Sequence, residues 1–117
     1  MANNSIFDSA KKKCNVSPDD DCFDDQILSF VNGYLATLNQ IGVGVPGFCV
    51  EGSEETWEDF ITDKPEIIPM ARIYLNNKTQ LQFDPPASAT VAKALDDAAE
   101  EMFQRCSYAV DPPNTFE

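Results

Sequence analysis

A chain of 117 residues, 43% of them hydrophobic and 24% charged, is long enough to bury one core without metals or disulfides and too apolar to be disordered. Its 20 acidic and 8 basic residues leave a net charge of -12, which argues against a nucleic-acid-binding surface, because neutralising phosphates needs clustered Lys and Arg. Histidine is absent, so the commonest general base and metal ligand is missing, and catalysis would have to rest on carboxylates or cysteine.

In chain order, the start Met1-Ala2-Asn3-Asn4 carries no basic residue and no apolar run follows it, so the expectation is an intracellular chain without a leader or a membrane span. A first helix is predicted over about Ser5 to Cys14, with Ile6, Phe7, Ala10 and Cys14 on one stripe and Lys11-Lys12-Lys13 complementing the dipole at its C-terminus. That lysine run reads as a solvated helix face. Asn15-Val16-Ser17-Pro18 breaks the helix, and Asp19-Asp20-Asp21 places negative charge before the next one. The second helix, about Cys22 to Ile41, has the strongest pattern: Phe23, Ile27, Phe30, Val31, Tyr34, Leu35, Leu38 and Ile41.

Gly42 follows as a helix C-cap should, opening a loop or short strand that runs through Val43, Val45 and Phe48. Its glycines match neither a P-loop nor a dinucleotide fingerprint. Thr56 and Asp59 resemble a capping box for a short helix whose apolar side is Trp57, Phe60 and Ile61. A third long helix is expected over about Ile67 to Phe83, with Pro69 tolerable only in its first turn and Asn76-Asn77 marking a place where it could break. Pro85 and Pro86 stop it at about Asp84, Ser88 is the better N-cap for the next helix, and that fourth long helix extends to about Cys106. The fold class is therefore all-α: a bundle of about four helices over residues 1–107, followed by an extended C-terminal tail over 108–117. Tyr108, Val110 and Phe116 give that tail apolar anchors around Pro112 and Pro113.

Catalytic, cofactor and metal sites are not indicated. Adjacent acids such as Glu54/Glu55 and Glu100/Glu101 point in different directions on a helix and read as a solvated face. The four cysteines lack a C-x-x-C spacing and read as reduced thiols, and Cys49 has no histidine to activate it.

Several blocks together resemble the head-tail connector (adaptor, head-completion) proteins of tailed bacteriophages. They are Ser5 to Lys12, Phe23-Asp24, Leu35-Ala36-Thr37-Leu38-Asn39-Gln40-Ile41-Gly42-Val43-Gly44, Thr56-Trp57-Glu58-Asp59-Phe60-Ile61, and Ile73-Tyr74-Leu75 leading to Phe83-Asp84-Pro85-Pro86. Trp57, Phe60, Phe83, Asp84, Pro85 and Pro86 are the fold landmarks, and the Phe83 to Pro86 corner is expected to fix the angle between the two long helices with Phe83 inserted in the core. The chain departs from the pattern at Asn76, Asn77, Gln80 and Gln82, which flank Lys78 where basic residues are common, and at Cys14, where an aliphatic residue is usual.

The resemblance implies a non-enzymatic virion protein of the neck, made in the host cytoplasm. It would form a ring of about twelve copies that continues the DNA channel, with no sequence-specific DNA contact. By the same analogy the tail (Tyr108, Val110, Pro112, Pro113, Phe116) binds the portal protein. The next neck protein, a stopper or tail terminator, docks at the opposite end of the ring, with the loop of Val43, Val45 and Phe48 as the first candidate for a neck or subunit contact. Size, charge and helical content also fit an acidic DNA mimic that inhibits a host nucleic-acid-binding protein. An acidic carrier protein fits poorly, because Asp8-Ser9-Ala10 is a weak attachment motif.

Overall fold

In the computed structural model, which describes residues 4–110, the chain is an all-α bundle. The helices are α1 (Ile6–Lys13), α2 (Asp24–Gln40), α3 (Trp57–Phe60), α4 (Ile68–Phe83) and α5 (Ala89–Val110), with a 3-10 turn at Pro65–Ile67 before α4. Among the described residues there is no strand, only an isolated bridge between Ser5 and Thr56.

The helix ends follow from local chemistry. The Ser5 side chain accepts the Asp8 amide at 3.2 Å and opens α1. Asn15 then adopts φ 63°, and the Asn15 and Val16 amides donate to the Lys12 and Lys11 carbonyls, a Schellman closure built on Asn. Gly42, at φ 88°, closes α2 in the same way, with the Val43 amide donating to Leu38 O at 3.0 Å. The capping box of α3 is complete: the Asp59 amide donates to Thr56 Oγ1 and the Thr56 amide to Asp59 Oδ2, both at 3.1 Å. Ser88 caps α5 through the Val91 amide.

The core is drawn from every element. Ile6, Phe7 and Ala10 of α1, Ile27, Val31, Leu35 and Leu38 of α2, Trp57 and Phe60 of α3, Ala71, Tyr74 and Leu75 of α4, and Ala99 and Cys106 of α5 are buried together. Asn76-Asn77 does not break α4, because both side chains find partners: Asn77 Nδ2 donates to Leu95 O at 3.1 Å and Asn76 Nδ2 reaches Ser9 Oγ at 3.4 Å. At 100° per residue, Arg72, Asn76 and Gln80 lie on the flank of α4 opposite Tyr74, Asn77 and Lys78. The first row faces α1 and the second faces α5. On that second flank Lys78 Nζ bridges Asp96 at 2.8 Å and Glu100 at 2.7 Å. Burial pulls its pKa down, but the two carboxylates outweigh that, and the net shift is upward.

Three expectations need correction. Helix α5 continues to Val110 rather than ending at Cys106, so Tyr108 and Val110 belong to the helix and not to an extended tail. The physical reason is that Pro112 restricts only itself and the residue before it, while Lys64 Nζ binds the Ala109 carbonyl at 2.8 Å. Lys11 is not a solvated lysine: it is buried, and its ammonium binds Pro18 O, Asp20 O at 2.8 Å and Asp24 Oδ1 at 2.9 Å. Phe83 is half-buried instead of inserted in the core, packing edge-on against Phe23 at 5.2 Å.

Candidate partner-binding surfaces

The described acids and thiols whose ligand atoms converge are Asp20, Asp21 and Cys22, within 4.8 Å of one another on an exposed turn. Asp20 Oδ1 already accepts the Cys22 amide there, and hydrogen bonding and charge from Asp20 raise the Cys22 thiol pKa. Burial pushes the thiols of Cys14 and Cys106 up to about 11, assisted at Cys14 by the Asp84 carboxylate. Cys22 and Cys49 are exposed, and all four cysteines are free.

The loop after α2 is pinned from both sides. Asn39 Nδ2 donates to Val43 O at 2.9 Å and Val45 O at 3.2 Å, the Val45 amide donates to Phe60 O at 2.9 Å, and Phe48 packs on the Phe60 ring at 5.2 Å. Gly44, at φ +83°, sits under that ring, where a side chain would collide with it. Of the three loop residues expected to meet a partner, Val43 is wholly buried and is a core residue. Val45 is 38% exposed and Phe48 half-buried. Asn32 fixes the far side of the loop by exchanging two hydrogen bonds with Val50, at 2.7 and 2.9 Å.

At the root of the tail, Tyr108 is 55% exposed and Val110 half-buried. Pro112, Pro113 and Phe116 lie outside the described residues. A Cβ built on Gly42 would stand 2.9 Å from Val110 Cγ1, so the loop begins where α5 ends. The structure thus brings together two groups that were expected at opposite ends of the subunit. Trp57 and Phe60 are fully buried with ring centroids 6.3 Å apart, and Asp84 caps α4 through its own amide to Gln80 O. Asp84 and Pro85 are exposed and Pro86 half-buried. Of the six fold landmarks, Trp57 and Phe60 are therefore core residues.

The row Arg72, Asn76, Gln80 was not among the expected site residues. It lines an open groove between α1 and α4 together with Lys12 and Lys13. Its signal in the sequence is a four-residue spacing of polar side chains through an otherwise apolar helix. No helix is long and apolar enough to cross a membrane among the described residues.

A family model described as phage connector protein matches residues 6–113. No curated protein and no solved structure matches the chain.

Proposed function

Because this chain belongs to the phage connector protein family, we propose that it is a head-tail connector subunit of the virion neck, assembling as a ring of about twelve copies around the DNA path. The supporting observation is the extent of the match, which runs from the first helix to Pro113 and so takes in the root of the tail. In this reading the segment after Val110 engages the portal protein, with Tyr108 at its base. Val45 and Phe48 share that end and belong to the same contact. Helix α5, with 22 residues, is about 33 Å long at 1.5 Å per residue. The Asp84 to Ser88 corner therefore occupies the other end, where exposed Val91 is available to the next neck protein. The net charge of -12 suits a wall that DNA must slide past, since like charge repels the backbone.

Truncation after Val110 tests the portal contact. It leaves the Lys64 bond to Ala109 and the packing of Val110 intact, so circular dichroism should report a folded helical subunit. That subunit should fail to attach to DNA-filled heads in a reconstitution assay. Attachment at the full-length level would reject the tail as the portal contact.

A further inference from the structure

The groove between α1 and α4 has a volume of about 1240 Å³. That exceeds the roughly 300 to 1,000 Å³ of small-molecule pockets and suits a stretch of polypeptide. Lys11, Lys12, Lys13 and Arg72 line it, half of the 8 basic residues of a chain whose net charge is -12. Lys11 is committed to Asp24. Lys78, Lys93 and Arg105 are ion-paired on the α5 side, and Lys64 is held by a carbonyl. Among the described residues, Lys12, Lys13 and Arg72 have no carboxylate partner, and all three face this groove. Asp8, the carboxylate in the lining, accepts from Ser53 Oγ at 2.6 Å.

The polar groups beside these cations indicate the kind of ligand. Arg72 Nε, Asn76 Oδ1 and Gln80 Oε1 are buried without hydrogen-bond partners, one helical turn apart on the groove side of α4. A phosphate backbone would satisfy the cations but offers no donor for the two amide oxygens. A peptide segment supplies backbone N–H groups for those oxygens and carboxylates for the cations.

Resting on the ring reading above, we propose that this groove receives an acidic segment of a second copy of this chain, the run between Glu51 and Glu66. In that run Lys64 is the sole basic residue, and Glu51, Glu54, Asp63 and Glu66 are exposed with no ion pair among the described residues. The chain thus carries both halves of a charge-complementary contact, which identical copies packed side by side can satisfy.

The test uses an equal mixture of unlabelled and nitrogen-15-labelled full-length chain, treated with a carbodiimide that joins amines to carboxylates in contact. Mass spectrometry should find mixed-isotope peptides linking Lys12 or Lys13 to the Glu51–Glu66 run, and their yield should fall about tenfold in about 0.5 M salt. Lys12→Glu/Lys13→Glu removes the reactive amines along with the charge, so it is read by sedimentation, which should find the oligomer lost with circular dichroism unchanged, as should Glu54→Lys/Glu66→Lys. Mixing the two variants should restore cross-linked dimers, because each then offers the other a complementary face. Oligomers linked through other residues and indifferent to the Lys12/Lys13 reversal would overturn the groove contact while leaving the ring reading intact. No cross-linked oligomer from the parent chain would overturn both.

Discussion

Replacing Gly44 by alanine should cost about 2 to 5 kcal/mol, and the magnitude follows from two separable causes. The backbone at Gly44 has φ +83°, the left-handed region that costs an L-residue roughly 1 to 2 kcal/mol. A Cβ there would also overlap the Phe60 ring, 2.6 Å from Cε2 and nearer still to Cε1 and Cζ. Overpacking of this kind costs roughly 1 to 3 kcal/mol where the neighbour cannot retreat. Phe60 cannot: it is wholly buried, flanked by Phe48 and Trp57, and its carbonyl is tied to the Val45 amide. Gly47 provides the control, since its φ is +76° yet nothing lies within 4 Å of its built Cβ. Gly47→Ala should therefore show the backbone cost alone. Urea titrations followed by far-UV circular dichroism, compared at equal m-value, give both numbers. If Gly44→Ala is no less stable than Gly47→Ala, the close fit of the loop beneath Phe60 is refuted.

Three further outcomes follow from burial. Ellman's reagent should titrate Cys22 and Cys49 in the native protein and reach Cys14 and Cys106 only on unfolding. Because the two buried thiols have pKa values raised from 9.0 to about 11, their contribution to stability is complete below pH 9 and lost as the pH rises through 11. Alkaline melts should show that decline beginning near pH 9, and in the Cys14→Ala/Cys106→Ala variant its onset should move up toward pH 10, where Tyr74, raised from 10.0 to about 12, begins to contribute. Lys11→Met should cost about 2 to 3 kcal/mol, below the roughly 3 to 5 kcal/mol of a fully buried pair, because Asp24 keeps 30% exposure. A change under about 0.5 kcal/mol in a urea titration would show that Lys11 does not hold the segment between α1 and α2.

Local signals carried most of the architecture. Ile27, Val31, Leu35 and Leu38 recur at helical spacing, Thr56 and Asp59 face each other across three residues, and Pro85 with Ser88 marks both ends of one corner, so each element is written within a dozen residues of itself. What escaped depends on neighbours distant in sequence. Nothing in Lys11-Lys12-Lys13 distinguishes the one whose ammonium meets Pro18, Asp20 and Asp24. Nor does the loop reveal that Val43 turns inward and Val45 outward, since α3 decides that. The meeting of Gly42 with Val110 is a contact across 68 positions, and it alone relocates the loop to the tail end. The α1–α4 groove exists only once two helices far apart in sequence lie side by side.

Lys64 at the foot of α5 has a mechanical consequence. By binding the Ala109 carbonyl it fastens the last turn of the helix to the segment that leads into α4. A load applied at Val110 along the axis of α5 is shared with α4, which lies alongside it with Tyr74 against Phe103, Asn77 against Leu95 and Lys78 against Asp96 and Glu100. Traction in that direction must slide one helix along the other and strain all these contacts at once, whereas a load applied sideways would peel them in turn. The subunit is thus built to bear tension lengthwise.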